Sequence, residues 1–129
     1  IKGREFSCGV LELGKEVNAL PVTEIVSMTD FFDYDAKYNG MSKELTPAPI
    51  DKSLSDRIQS LTEKIYKALN CSGVCRVDFI YEQDEDQLYF LEINTTPGQS
   101  EQSIVPQQVR AIGKDTKWLY NTILGQLNL

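Results

Sequence analysis

Asp78, Glu92 and Asn94 are the residues whose types and spacing best suit chemistry. Glu92 and Asn94 lie in Glu92-Ile93-Asn94-Thr95-Thr96-Pro97-Gly98. Alternate side chains of a strand share a face, so the two oxygen-bearing groups point one way and Ile93 points into a core. Asp78 stands upstream, in Arg76-Val77-Asp78-Phe79-Ile80. The two apolar runs flank a polar stretch, Glu82 to Gln87, and read as a β-hairpin. With the turn centred on Glu85, Asp78 faces Glu92, their Cβ atoms roughly 5 Å apart. Bare carboxylates so placed repel each other. A hard divalent cation held by carboxylate and amide oxygens resolves the repulsion. Arg76 falls on the same face, so an ion pair that needs no metal is the competing reading.

Other groups gain meaning from this company. Pro97-Gly98 bends the chain after the strand, and Gly98 lets a ligand approach the backbone closely. Ser100, Ser103 and the free amides of the next helix form an anion-binding end, or else an ordinary cap. Glu5 and Ser7 share a face of the first strand, where a lone Glu is by default a solvent-facing residue. Phe31-Phe32-Asp33-Tyr34-Asp35-Ala36-Lys37-Tyr38 is an aromatic stretch within a long loop. Its Lys37 is a cation that can close over a phosphate, or a solvated lysine.

The elements that must position these groups follow from periodicity. Residues 4–13 alternate as a strand, Gly14-Lys15 turns, Glu16 to Leu20 returns, and Glu24 to Met28 reads as a further strand. Thr29 to Pro49 shows no period; irregular loops that long are often lids or binding loops. Leu54, Ile58, Leu61, Ile65 and Leu69 form a helical stripe, with Ser53 as N-cap and Asn70 and Gly73 as the stop. In the 75–94 hairpin, Val77, Phe79, Tyr81, Tyr89, Leu91 and Ile93 form the face expected against that helix. A short helix is expected from Ser103 to Ile112, ended by Gly113. Asp115 or Thr116 then caps a last helix bearing Trp118, Leu119, Ile123 and Leu127. Antiparallel hairpins with interspersed helices give the α+β class, and 129 residues suit one domain, 1–129.

Composition removes several functions. The net charge is −6 with no basic stripe, which argues against nucleic acid. No apolar run spans a bilayer, no signal peptide is evident, and the expectation is a cytoplasmic protein with no membrane partner. There is no histidine, so the usual general base and any Ser-His or Cys-His pair are absent. Cys8, Cys71 and Cys75 lack zinc-site spacing and read as reduced thiols. The chain begins at Ile1 already in strand pattern, and is expected to be a piece of a longer protein.

Four segments together resemble the C-terminal half of ATP-grasp enzymes, and within them the D-alanine–D-alanine ligases. They are Gly3-Arg4-Glu5-Phe6; Phe32-Asp33-Tyr34-Asp35-Ala36-Lys37-Tyr38; Arg76-Val77-Asp78; and Glu92 to Gly98 running on to Ser103-Ile104-Val105-Pro106. The Glu-x-Asn-x-x-Pro-Gly string is shared among ATP-grasp ligases. The Tyr-Asp-Ala-Lys-Tyr loop and the Ser-Ile-Val-Pro helix start narrow the likeness to the D-alanine group.

The resemblance implies ATP-dependent ligation of two D-alanines through an acyl phosphate, for peptidoglycan synthesis. It implies that Asp78, Glu92 and Asn94 hold two Mg²⁺ (or Mn²⁺) ions, with Glu92 bridging. Arg76 and the Gly98 amide would stabilise the oxyanion, and Ser103, Ile104 and Gly98 would bind the second D-alanine. Lys37 would approach the γ-phosphate of ATP and Phe31 the adenine. Tyr38, in a network with Glu5, would sit beside the substrates and favour an alanine acceptor. The family's N-terminal and central domains are not in this sequence, so a lone half-site is expected to be inactive. Intact members usually form homodimers. The rival readings are another ATP-grasp carboxylate–amine ligase and a non-catalytic binding module.

Overall fold

The computed structural model describes residues 3–27 and 42–125. In chain order the elements are β1 (Arg4–Leu13), β2 (Glu16–Ser27), β3 (Ser42–Leu45), α1 (Lys52–Ala68), β4 (Cys75–Glu82), β5 (Gln87–Asn94), α2 (Ile104–Ala111) and α3 (Thr116–Gly125). The strands form one sheet in the order β3-β2-β1-β4-β5, antiparallel at every pairing. The α+β expectation holds.

Alternation along β1 sets the two faces of the sheet. Phe6 and Cys8 turn toward α1 and pack with Val22, Leu54, Ile58, Val77 and Phe79. Each such large side chain, fully buried, contributes about 2 kcal/mol. Glu5, Ser7 and Gly9 turn to the other face. There Leu11 packs with Leu20, Val105, Val109 and Leu119 beneath α2 and α3. The functional candidates on β1 are therefore on the α2 side because their odd-numbered neighbours are.

β1 and β2 are joined by Gly14-Lys15, with Gly14 at φ +66°, a conformation that glycine takes without strain. β2 is one strand, Glu16–Ser27, where the sequence suggested two. The break in pattern is a bulge: register passes from Cys8↔Val22 to Val10↔Ala19, so Leu20 and Pro21 oppose Gly9. Proline is tolerated at such a site, and the extra residue shifts the alternation. The long irregular segment also gives way to structure at Ser42–Leu45, which pairs with β2.

α1 starts one cap earlier than expected. Asp51, not Ser53, is the N-cap, its carboxylate accepting from the Leu54 amide at 2.8 Å. Asp offers the first turn a charge as well as an oxygen. Asn70 at φ +52° and Gly73 at φ +68° stop it as expected. At α3, Asp115 accepts from the Trp118 amide. No helix among the described residues is long and apolar enough to cross a membrane.

Candidate functional site

The β4–β5 hairpin has the register that the spacing suggested. Asp78 lies opposite Glu92, and Arg76 opposite Asn94. β1 adds Ser7 opposite Asp78 and Gly9 opposite Arg76. Cross-strand partners share a face, so Glu5, Ser7, Arg76, Asp78, Glu92 and Asn94 lie on one side of the sheet. Ile93 turns to the opposite side and packs on the core under α1.

Asp78 is the buried centre of the group, 7% exposed. Ser7 Oγ donates to its Oδ1 at 2.6 Å. Arg76 grips it from the side, Nε to Oδ1 at 3.1 Å and Nη2 to Oδ2 at 3.2 Å. Arg76 Nη1 makes no hydrogen bond among the described residues. The side chain of Glu92 is exposed and makes none either. Asn94 Oδ1 accepts from the Thr96 amide at 2.9 Å, which starts the turn toward Gly98.

Glu5 senses both its burial and the charges around it. Burial pushes the Glu5 carboxyl above its ordinary value, and the charge of Asp78 pushes it the same way. Arg76 pulls it down, and Glu92 adds to the upward push. Among the described residues no three His, Cys, Asp or Glu side chains gather closely enough to hold a metal by themselves. A cation here must draw on the Asn94 amide oxygen and on oxygens from a substrate. Two carboxylates and an amide suit a hard ion such as Mg²⁺, which seeks few protein ligands.

The second half of the site is the turn into α2. Ser103 occupies the N-cap position but makes no capping hydrogen bond with its side chain. Its Oγ instead meets Ser100 Oγ at 2.8 Å. The first-turn amides of Ile104 and Val105 are thereby left uncapped, an arrangement that attracts an anion. Gly98 packs tightly on this cap: a Cβ there would fall 2.7 Å from Ser103 Oγ.

One expected core face is partly wrong. The register slips between Asp78↔Glu92 and Phe79↔Phe90, so Leu91 is an extra residue in β5. Leu88, not Tyr89 or Leu91, packs against the α1 core. Phe90 and Leu91 are left 47% and 43% exposed beside Glu92. Sequence reasoning missed this apolar surface because strict alternation placed Leu91 inside. Phe31, Lys37 and Tyr38 lie outside the described residues.

Comparison with known proteins decides the family. The model of the D-ala D-ala ligase C-terminus matches residues 1–125. The chain belongs to the D-alanine–D-alanine ligase family. A D-alanine–D-alanine ligase of Porphyromonas gingivalis is 50% identical over 124 residues, 96% of this chain and 37% of that protein. The chain thus spans little more than a third of that relative's length. Among solved structures, the VanG D-Ala:D-Ser ligase of Enterococcus faecalis superposes with a TM-score of 0.82 at 38% identity, covering 98% of this chain and 36% of that one. The Bacillus anthracis D-alanine–D-alanine ligase complexed with ATP has a TM-score of 0.78 at 28% identity, covering 98% of this chain and 38% of that one.

Proposed function

We propose that residues 1–129 form the C-terminal ATP-grasp subdomain of a cytoplasmic enzyme that joins two D-alanines at the expense of ATP, for peptidoglycan synthesis. The observation that carries the reading is the pairing of Asp78 with Glu92 on one face, beside an uncapped helix start, in a chain of this ligase family.

In this reading Asp78, Glu92 and Asn94 hold two Mg²⁺ or Mn²⁺ ions. Bound there, the ions supply charge neutralisation for the transferring phosphoryl group. The carboxylate of the first D-alanine takes the γ-phosphoryl group of ATP, giving an acyl phosphate and ADP. The amine of the second D-alanine then attacks that carbonyl, loses a proton, and inorganic phosphate leaves.

This chain's own residues bind and orient. Arg76, fixed by two contacts to Asp78, has Nη1 to offer to the tetrahedral oxyanion, together with the Gly98 amide. Ser103 Oγ and the Ile104 amide receive the carboxylate of the second D-alanine. Glu5 and Tyr38 orient the substrates, and Lys37 approaches the γ-phosphate. Phe31, with the exposed Leu91 beside Glu92, offers apolar surface to the adenine. The ordered assembly needs the remaining length found in its relatives, including their share of the nucleotide site, and pairs as a homodimer. The segment alone is inactive.

The test is phosphate release and dipeptide formation by the full-length protein with ATP, Mg²⁺ and single D-amino acids. D-alanine alone should sustain turnover and yield D-alanyl-D-alanine. A requirement for D-serine would move the assignment toward the acceptor named for the Enterococcus faecalis relative, and indifference to all D-amino acids would leave a binding module. Glu92→Gln should abolish turnover with the fold intact.

A further inference from the structure

Gln108 is a fully buried polar side chain in the otherwise apolar inner face of α2. Its amide makes three hydrogen bonds, each to the sheet. Oε1 accepts from the Gly9 amide at 2.8 Å. Nε2 donates to the Ser7 carbonyl and to Thr23 Oγ1, each at 3.0 Å. The Gly9 amide stands where the β1–β2 register slips, between Cys8 and Val10, and Ser7 and Thr23 are the paired residues next to it. The side-chain amide thus serves as a strand peptide would, offering an acceptor and a donor to β1. A leucine in its place would fill the volume and forfeit all three bonds. Gly9 fits the same contact, since a Cβ there would lie 2.7 Å from Gln108 Oε1.

The clamp joins the two halves of the site. Ser7, held by Gln108 through its carbonyl, holds Asp78 through its hydroxyl. Ile104 precedes Gln108 by four residues, one turn up the same face of α2. Thr23 continues the network through Thr46 to Gln107 on the same helix. The helix start that carries Ser103 and the strand that carries Asp78 are therefore tied through one buried amide.

We infer that Gln108 is a positioning residue that sets the acceptor-binding start of α2 against the Arg76–Asp78 pair, and so governs productive binding of the second amino acid. This rests on the ligase reading above for its kinetic consequence, but the positioning itself does not. It does not touch substrate.

The experiment uses the full-length enzyme with Gln108→Met, which keeps volume and removes all three bonds, and Gln108→Glu, which keeps the acceptor and removes the donor. The KM for the second D-alanine should rise about tenfold or more in Gln108→Met, as for a reacting group displaced by a fraction of an ångström. It should rise in Gln108→Glu as well, whose second oxygen would face the Ser7 carbonyl in place of a donor. The KM for ATP and for the first D-alanine should stay within about twofold. Hydrogen exchange is read on the same samples and should quicken at Gly9, which loses its Gln108 acceptor, and at Gln107, whose amide bonds the Ser103 carbonyl, while the α1 amides keep their protection. Equal changes in every KM, or an unchanged second KM, would overturn the inference. Should the wild type ligate nothing, the ligase reading fails by itself; exchange then decides the positioning, and unaltered protection at Gly9 and Gln107 would refute it. If Gln108→Met does not fold, the Gln108→Glu pattern carries the decision.

Discussion

Arg76→Met separates the two roles assigned to one guanidinium. Nε and Nη2 stand 3.1 and 3.2 Å from the two Asp78 oxygens, and the side chains of Arg76 and Asp78 are only 21% and 9% exposed. At an effective dielectric near 20, unit charges about 3 Å apart attract by roughly 5 kcal/mol. Dehydrating the guanidinium offsets a large part of that. Ser7 still satisfies Asp78 Oδ1 after the substitution. The net loss of unfolding free energy should be about 2–3 kcal/mol, the lower side of what breaking a buried pair costs. Urea denaturation at neutral pH, without and with saturating Mg²⁺, measures it. Mg²⁺ should restore part of the lost stability in the variant, because Asp78 regains a positive partner. The rate per folded molecule should fall about 10²-fold, as on removal of an oxyanion donor. A loss below about 0.5 kcal/mol would class Arg76 with solvated surface charges and refute the buried-pair argument. A loss that Mg²⁺ leaves untouched would count against Asp78 as a metal ligand.

Two further outcomes follow from the electrostatics and the packing. Glu5 has its carboxyl pushed up in the folded protein by burial and by Asp78, so between its ordinary and its raised value the native state binds more proton than the unfolded chain. Stability from this group is present below the ordinary carboxylate range and falls as pH rises toward the raised value. Glu5→Gln should therefore raise the urea midpoint at neutral pH and match wild type in acid; a midpoint gain that persists in acid would exclude this cause. Burial pushes the thiols of Cys8 and Cys75 up to about 12, with Cys71 adding to the effect at Cys75. Of the three free cysteines only the half-buried Cys71 should react with a thiol reagent in the native protein near pH 8, and rapid labelling of Cys8 or Cys75 would contradict the described core.

The hairpin was legible because its information is local. A polar turn and two alternating runs fix Asp78 against Glu92, and the helix stops at Asn70, Gly73 and Gly113 are equally local. What escaped depends on the third dimension. Alternation places Leu91 in the core because it cannot register an extra residue in one strand. Leu20 and Pro21 broke the pattern of β2 and made one strand resemble two. Ser53 and Asp51 are both competent caps, and only the fold shows which carboxylate or hydroxyl meets the Leu54 amide. Gln108 carried no signal by itself; a polar residue on the buried face of an apolar helix was the available clue, and its partners are about a hundred positions away. The Arg76–Asp78 ion pair, the competing reading of these carboxylates, is present in the fold, and the two Arg76 contacts leave Glu92 outside it.

Manganese binding tests the central claim most directly. Mn²⁺ added to the full-length protein with a non-hydrolysable ATP analogue, followed by electron paramagnetic resonance, reports coordination without needing turnover. Wild type should take up the ion in a nucleotide-dependent manner, and Asp78→Asn and Glu92→Gln should each weaken uptake about tenfold or more while circular dichroism stays native. Unchanged Mn²⁺ affinity in both variants would mean that the facing carboxylates bind no shared cation.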